Sequence, residues 1–256
     1  MEHVIAGISL NFNDACCVFF LIAARFYGAM VICPIFSDGL VPRMLKVLLS
    51  GAFALVVLPV YLQGPVSIGT LQLILLLVKE ICIGALIGYV FSIPIWLVEN
   101  TGNIIDIQRG EQFGAEIDPM TKNPSSSIAK LLNQGFMVYL ISAGGLSLLI
   151  RFIFFSFSAC PPTEYLVRSV VLLDALKIFY DYFYWVIILC LPVVFVLFLL
   201  DMILGLLSSF VQQLNVTIFA MTLKSMLALL VIIPYIAVIY HFAFERLVNE
   251  TLLFKM

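Results

Sequence analysis

Six runs of apolar residues, about Ala15–Phe36, Val47–Leu62, Leu71–Val98, Leu131–Ile150, Phe183–Leu207 and Ser225–Phe244, fill most of this chain. All but the short second run reach the roughly 20 residues that a bilayer-spanning helix needs. In hydrocarbon no water satisfies a backbone N–H or C=O, so such a run closes its hydrogen bonds within itself as a helix. The alternating pattern of a membrane barrel is absent. The predicted fold class is all-α: a multi-helix, hydrophobic, membrane-class protein with broken helices and helical hairpins. Composition agrees, with 63% hydrophobic and 11% charged residues and a mean hydropathy of +1.16, against about 25% charged in an average soluble domain. A net charge of -2 offers no basic face for nucleic acid.

The runs are not simple spans. Arg25 sits within the first, Lys79 and Glu80 within the third, and Asp201 within the fifth. A mid-helix Arg, Lys or Asp costs about 2.5–3.5 kcal/mol on insertion scales. Local pairing, such as Lys79 with a neighbouring carboxylate, is one remedy; a helix that faces protein or a water-filled path instead of lipid is the other. Pro34, Pro59, Pro94, Pro192 and Pro234 predict kinks or breaks. Arg43, Lys46, Arg109 and Lys122 fall on one side of an alternating topology, which favours that side as cytoplasmic; Arg151, Arg168 and Lys177 fall on the other and leave only a small bias. No Lys or Arg precedes Arg25, so the first run is expected to be retained instead of cleaved as a signal peptide. Thr163–Asp181 reads as a separate amphipathic helix, with Asp174, Lys177 and Asp181 on one face, Pro161 and Pro162 before it and Thr163 as its cap.

One stretch stands apart. Glu99–Lys130 is polar and dotted with glycine, and it holds five of the chain's fifteen acidic residues: Glu99, Asp106, Glu111, Glu116 and Asp118. Ile104, Ile105, Ile107, Phe113 and Ile117 make it too apolar for a solvated linker, and long loops between packed elements are usually functional or disordered. Gly102, Gly110 and Gly114 permit bends or close backbone approach. Asp118-Pro119 signals a turn, and Pro124 followed by Ser125, Ser126 and Ser127 reads as the start of the next helix. The expectation is a re-entrant or inserted loop that lines or plugs a pore, set against an ordinary solvated connection. A second polar cluster, Ser208–Asn215, contains Gln213 and Asn215. It suits the turn of a helical hairpin, or hydrogen bonds to a neighbouring subunit.

Catalytic spacing is missing. His3 and His241 lie near opposite ends, and no HExxH, GxSxG or P-loop pattern occurs. Cys16, Cys17, Cys33, Cys82, Cys160 and Cys190 form no CxxC pair and read as small buried hydrophobes. The chain is expected to be no enzyme, with no cofactor, metal or catalytic residue.

At its two polar places the sequence resembles the FliR/SpaR/YscT family, the T-type subunit of the type III secretion export gate. Gly102, Gln108, Gly110, Ala115 and Asp118-Pro119 resemble the family's loop pattern, as does Ser156-Phe157 downstream. Leu204-Gly205-Leu206-Leu207 followed by Gln213-Leu214-Asn215-Val216 resembles its second signature. Where the family often carries a basic residue and a proline before that glutamine, this chain has Ser209 and Gln212. Thr222-Leu223-Lys224-Ser225 looks more like the injectisome branch than the flagellar one.

The resemblance implies a single export-apparatus domain over residues 1–256, with 99–130 as the candidate plug. It implies assembly into a helical hetero-oligomer with R-type and S-type subunits, in contact with the U-type switch and V-type export subunits and with unfolded proteins in transit. The place implied is the bacterial inner membrane, largely above its plane once assembled. Expected loop residues are Gln108, Gly110, Gln112, Phe113, Gly114, Asp118 and Pro119; expected assembly or buried polar residues are Arg25, Lys79, Glu80, Asp201, Gln213 and Asn215. The alternative is a small-molecule or ion transporter with a midplane site made by broken helices around Arg25, Lys79 and Asp201.

Overall fold

A computed structural model describes residues 12–37, 39–61, 70–110, 127–162, 169–210 and 216–253. Among the described residues there are seven α-helices: α1 Phe12–Ile32, α2 Arg43–Tyr61, α3 Thr70–Arg109, α4 Ser127–Ser142, α5 Gly145–Ala159, α6 Ser169–Phe210 and α7 Val216–Leu253. By length and composition five are able to cross a membrane, and the α4–α5 pair, broken at Ala143–Gly144, is a sixth candidate. The chain divides into two compact units, Met1–Ser92 with Gly145–Ala175, and Ile93–Gly144 with Leu176–Met256.

In the first unit, α1 buries Val18, Leu21, Ile22, Phe26, Ala29 and Met30, a stripe at helical spacing. Phe26 is its centre, with ring centroids 5.4 Å from Phe53, 5.8 Å from Phe154 and 5.7 Å from Phe157. The backbones of α1 and α3 touch. A Cβ on Gly84 would run into the Arg25 carbonyl, the small-residue contact that lets helices pack closely when lipid supplies no hydrophobic drive.

In the second unit the core is Ile95, Leu97, Val98 and Ile105 of α3, Leu132, Phe136 and Leu140 of α4, Val193 and Leu197 of α6, and Ala228, Ile232, Ile239, Ala243 and Leu247 of α7. Tyr240 OH donates to the Leu132 carbonyl over 2.9 Å, and its ring lies 5.6 Å from Phe136. The Trp185 ring lies 5.0 Å from Phe242, and the Arg246 guanidinium stacks 3.8 Å over the same indole.

The helices correct three expectations. Glu99–Arg109 is not loop but the last turns of the 40-residue α3. Thr101 and Ile105 are fully buried one turn apart, Thr101 Oγ1 donates to the Leu97 carbonyl, and Asp106 pairs with Arg109 within one turn. These contacts hold the helix through Gly102 and the isoleucines. At the other end Ser127–Lys130 already belongs to α4. Second, the helix expected to end at Asp181 does not stop there: from Ser169 the chain runs without interruption to Phe210, and Thr163, its expected cap, lies outside the described residues. Third, no break falls at Pro59, Pro94, Pro192 or Pro234, which sit inside continuous helices. Only Pro34 follows the expectation of a break, ending α1 and opening a short 3-10 turn. The clean break instead falls at Gly144, whose φ of +84 suits the residue after a helix C-terminus.

Candidate functional site

Two polar clusters, one in each unit, gather Arg25, Lys79 and Glu80 in the first and Asp106, Arg109, Asp201 and Lys224 in the second. In the second unit the cluster grows from the C-terminal turns of α3. Asp106, 2% exposed, pairs with Arg109 and accepts the backbone N–H groups of Ile128 and Ala129, each over 3.0 Å. A carboxylate here satisfies two orphan donors of the first turn of α4 and meets the positive end of its dipole. Gly102 makes the approach possible, since a Cβ there would lie 2.5 Å from Ala129 Cα. Arg109 also reaches Ser225 Oγ on α7 at 3.5 Å.

Next to it, Gln108 Nε2 donates to Asp201 Oδ2 over 3.2 Å. Lys224 Nζ lies 2.5 Å from Asp201 Oδ1 and donates to the Gln108 carbonyl over 3.4 Å. The C-terminal turn of α3 and the interiors of α6 and α7 therefore meet at one carboxylate. Gly110 follows in the left-handed conformation with φ of +83, where a Cβ would meet Met221 at 3.6 Å. The chain thus leaves α3 at Gly110 and returns in α4 beside the turn it left, with Asp106 tying departure to return.

In the first unit, Arg25 Nε lies 2.5 Å from Glu80 Oε2 and Arg25 Nη2 donates to Glu80 Oε1 over 2.9 Å. Both side chains are fully buried, and Lys79 Nζ lies 2.8 Å from Glu80 Oε1. The remaining donors go to the C-terminal end of α5. Arg25 donates to Ser156 Oγ over 3.1 Å and to the Cys160 carbonyl over 2.8 Å, while Lys79 donates to the Pro161 carbonyl over 3.2 Å. Two cations at a helix C-terminus meet carbonyls that the helix itself cannot satisfy. The guanidinium also rests 4.1 Å over the Phe157 ring. Ser156 and Phe157 thus both serve Arg25. Each cluster ties a helix terminus to the interiors of other helices, and among the described residues no group of three or more His, Cys, Asp or Glu could hold a metal ion.

Of the residues singled out from sequence, Arg25, Lys79 and Glu80 come together in one cluster, and Gln108 and Asp201 in the other, with Gly110 two residues past Gln108. Gln112, Phe113, Gly114, Asp118, Pro119, Gln213 and Asn215 lie outside the described residues. Sequence reasoning assigned no site role to Asp106, Arg109, Lys224 or Ser225. The i, i+3 spacing of Asp106 and Arg109 was a usable signal; nothing local marks the match of Lys224 to Asp201.

The family described as bacterial export proteins, family 1, matches residues 16–250. The chain is 29% identical over 237 residues to the surface presentation of antigens protein SpaR of Shigella flexneri, covering 91% of this chain and 89% of that protein. It is 31% identical over 223 residues to the Yop proteins translocation protein T of Yersinia pestis, covering 84% of each. With the flagellar biosynthetic protein FliR of Bacillus subtilis the identity is 25% over 225 residues, covering 87% of each.

Proposed function

The chain belongs to the bacterial export proteins, family 1, and on that footing we propose that it is a structural subunit of a type III protein secretion export gate. It helps form and close the channel through which unfolded proteins leave the cytoplasm. The observation that carries this reading is the match over residues 16–250 together with a relative named for the translocation of Yop proteins. The identity is 31% to that protein and 25% to the flagellar FliR, which favours the injectisome over the flagellum.

The pairing of the intrahelical charges suits a structural gate component. Arg25 and Lys79 are taken up by Glu80, and Asp201 by Lys224. That pairing occupies the charges a midplane transport site would have used. Five helices apolar enough to cross a membrane support an inner-membrane location, and the partners are other export-gate subunits, the R-type and S-type first, with the U-type and V-type subunits beyond them. Gln108, Gly110, Gln112, Phe113, Gly114, Asp118 and Pro119 form the channel plug in this reading. Its support among the described residues is the tie from Asp106 to Ile128 and Ala129, which fixes both feet of the intervening segment to one place.

The test is purification of the tagged chain in mild detergent from cells that express the whole apparatus. A large hetero-oligomer containing the other export subunits is expected. A monodisperse monomer that moves a solute by itself would overturn the proposal. For the plug, removal of residues 110–114 is expected to raise ion leakage while leaving assembly intact; unchanged leakage with normal assembly counts against it.

A further inference from the structure

Among the described residues, each buried or half-buried carboxylate but one has a basic neighbour. Glu80 has Arg25 and Lys79, Asp106 has Arg109, and Asp201 has Lys224. Glu99 is the exception. Half-buried on α3, it receives a single hydrogen bond, from Asn133 Nδ2 of α4 over 3.1 Å. Beside it, Asn133 Oδ1 is buried without a hydrogen-bond partner, an acceptor left open where native interiors close nearly all of them. Glu99 thus has one amide as its donor and no basic neighbour among the described residues, and the oxygen of that same amide is left open. A charge in such surroundings is costly until it is paired.

We propose that Glu99 and Asn133 form half of an intersubunit contact, which a lysine or arginine side chain of a neighbouring export-gate subunit completes. The chemistry selects a basic side chain over a metal ion. A hard divalent cation takes six or more oxygen ligands, whereas a guanidinium or ammonium is matched by one carboxylate with an amide oxygen alongside. Charge complementarity also separates this point from the bare apolar helix faces, which carry nothing to define their partner. The proposal rests on the export-gate reading.

Carboxyl footprinting of the wild-type chain with a carbodiimide and glycine ethyl ester tests it without any substitution. Glu99 is expected to be modified several-fold less in the purified gate than in the same chain isolated in detergent. Equal modification in the two overturns the proposal, and so does a carbodiimide-induced link from Glu99 to a lysine of its own chain. The second arm is Glu99→Gln in the intact gate, which keeps the shape and removes the charge. Breaking one partner of a buried charge pair leaves the other uncompensated, so retention of the neighbouring subunits during a salt wash is expected to fall about tenfold or more. Glu99→Asp is expected to recover part of it, and unchanged retention in Glu99→Gln overturns the proposal. A wild-type chain that brings down no other export subunit sinks the export-gate reading and the contact with it, whereas a complete gate indifferent to Glu99 sinks the contact alone.

Discussion

Asp106 and Ala129 stand 23 residues apart in the chain, yet the Ala129 N–H donates to Asp106 Oδ2 over 3.0 Å. The same oxygen accepts from Ile128, and the other carboxylate oxygen holds Arg109. One side chain therefore caps a helix, neutralises a buried guanidinium and closes the base of the segment that the sequence marks as most unusual.

Asp106→Ala removes the cap and takes the carboxylate from Arg109. Loss of an N-cap costs about 1 kcal/mol, and breaking a buried charge pair by removing one partner costs about 3–5 kcal/mol. Asp106→Asn keeps a cap acceptor and loses only the charge, so the alanine variant is expected to be the less stable of the two. Hydrogen exchange at Ile128 and Ala129 reports the cap directly. Exchange should quicken in Asp106→Ala first; wild-type protection at both amides in that variant would remove Asp106 from the account.

Glu80 pairs with both Arg25 and Lys79. Glu80→Gln takes that carboxylate from both cations beside the end of α5, and the expected loss is about 3–5 kcal/mol in detergent denaturation. Replacing the buried pair together, Arg25→Met with Glu80→Leu, should cost less than Glu80→Gln alone, because one cation, Lys79, then loses its carboxylate instead of two. The reverse order would show that the pair's own attraction dominates its desolvation.

Much of this architecture was legible in the sequence, because hydropathy reads a solvent boundary directly. The all-α class and the membrane-type helices follow from apolar runs that contain few charges. Helix ends were less legible. Glu99–Arg109 looked like loop because its polar residues were counted as solvated, whereas Thr101 and Asp106 are buried and bonded within the second unit. Residues Thr163–Asp181 looked separate because their charges interrupt the apolar pattern, yet a charged face does not stop a helix. The buried charges at Arg25, Lys79 and Asp201 were visible as anomalies. Their partners were not, apart from the adjacent Glu80, because pairing across tens of residues depends on packing that no local spacing encodes.

Two glycines should behave in opposite ways. Gly84 faces the Arg25 backbone with no room for a Cβ, whereas a Cβ on Gly205 meets nothing within 4 Å. Gly84→Ala must push α1 from α3 and is expected to destabilise the chain by about 1–3 kcal/mol, as overpacking does. Gly205→Ala, in the exposed part of α6, is expected to be neutral or to stabilise the isolated chain by up to about 1 kcal/mol through helix propensity. Thermal midpoints of the two variants in one detergent decide it, and equal shifts would contradict the close contact of α1 with α3.

The pair of Lys224 with Asp201 provides a graded comparison with Glu80. Its geometry is as close, with 2.5 Å between Lys224 Nζ and Asp201 Oδ1, but its side chains are 16% and 35% exposed against 0% for Arg25 and Glu80. Partial solvation screens the attraction and lowers the cost of breaking it, so Lys224→Met is expected to lose about 1 kcal/mol or less. Asp201 then keeps the Gln108 amide as a donor, which limits the loss further. Salt should separate the two clusters as well. Raising ionic strength is expected to narrow the difference between Lys224→Met and wild type, because the exposed pair is screened, and to leave the Glu80→Gln difference nearly unchanged. Denaturation curves at low and high salt measure both. A salt-independent Lys224 effect as large as that of Glu80→Gln would mean that the second cluster is dry and closed.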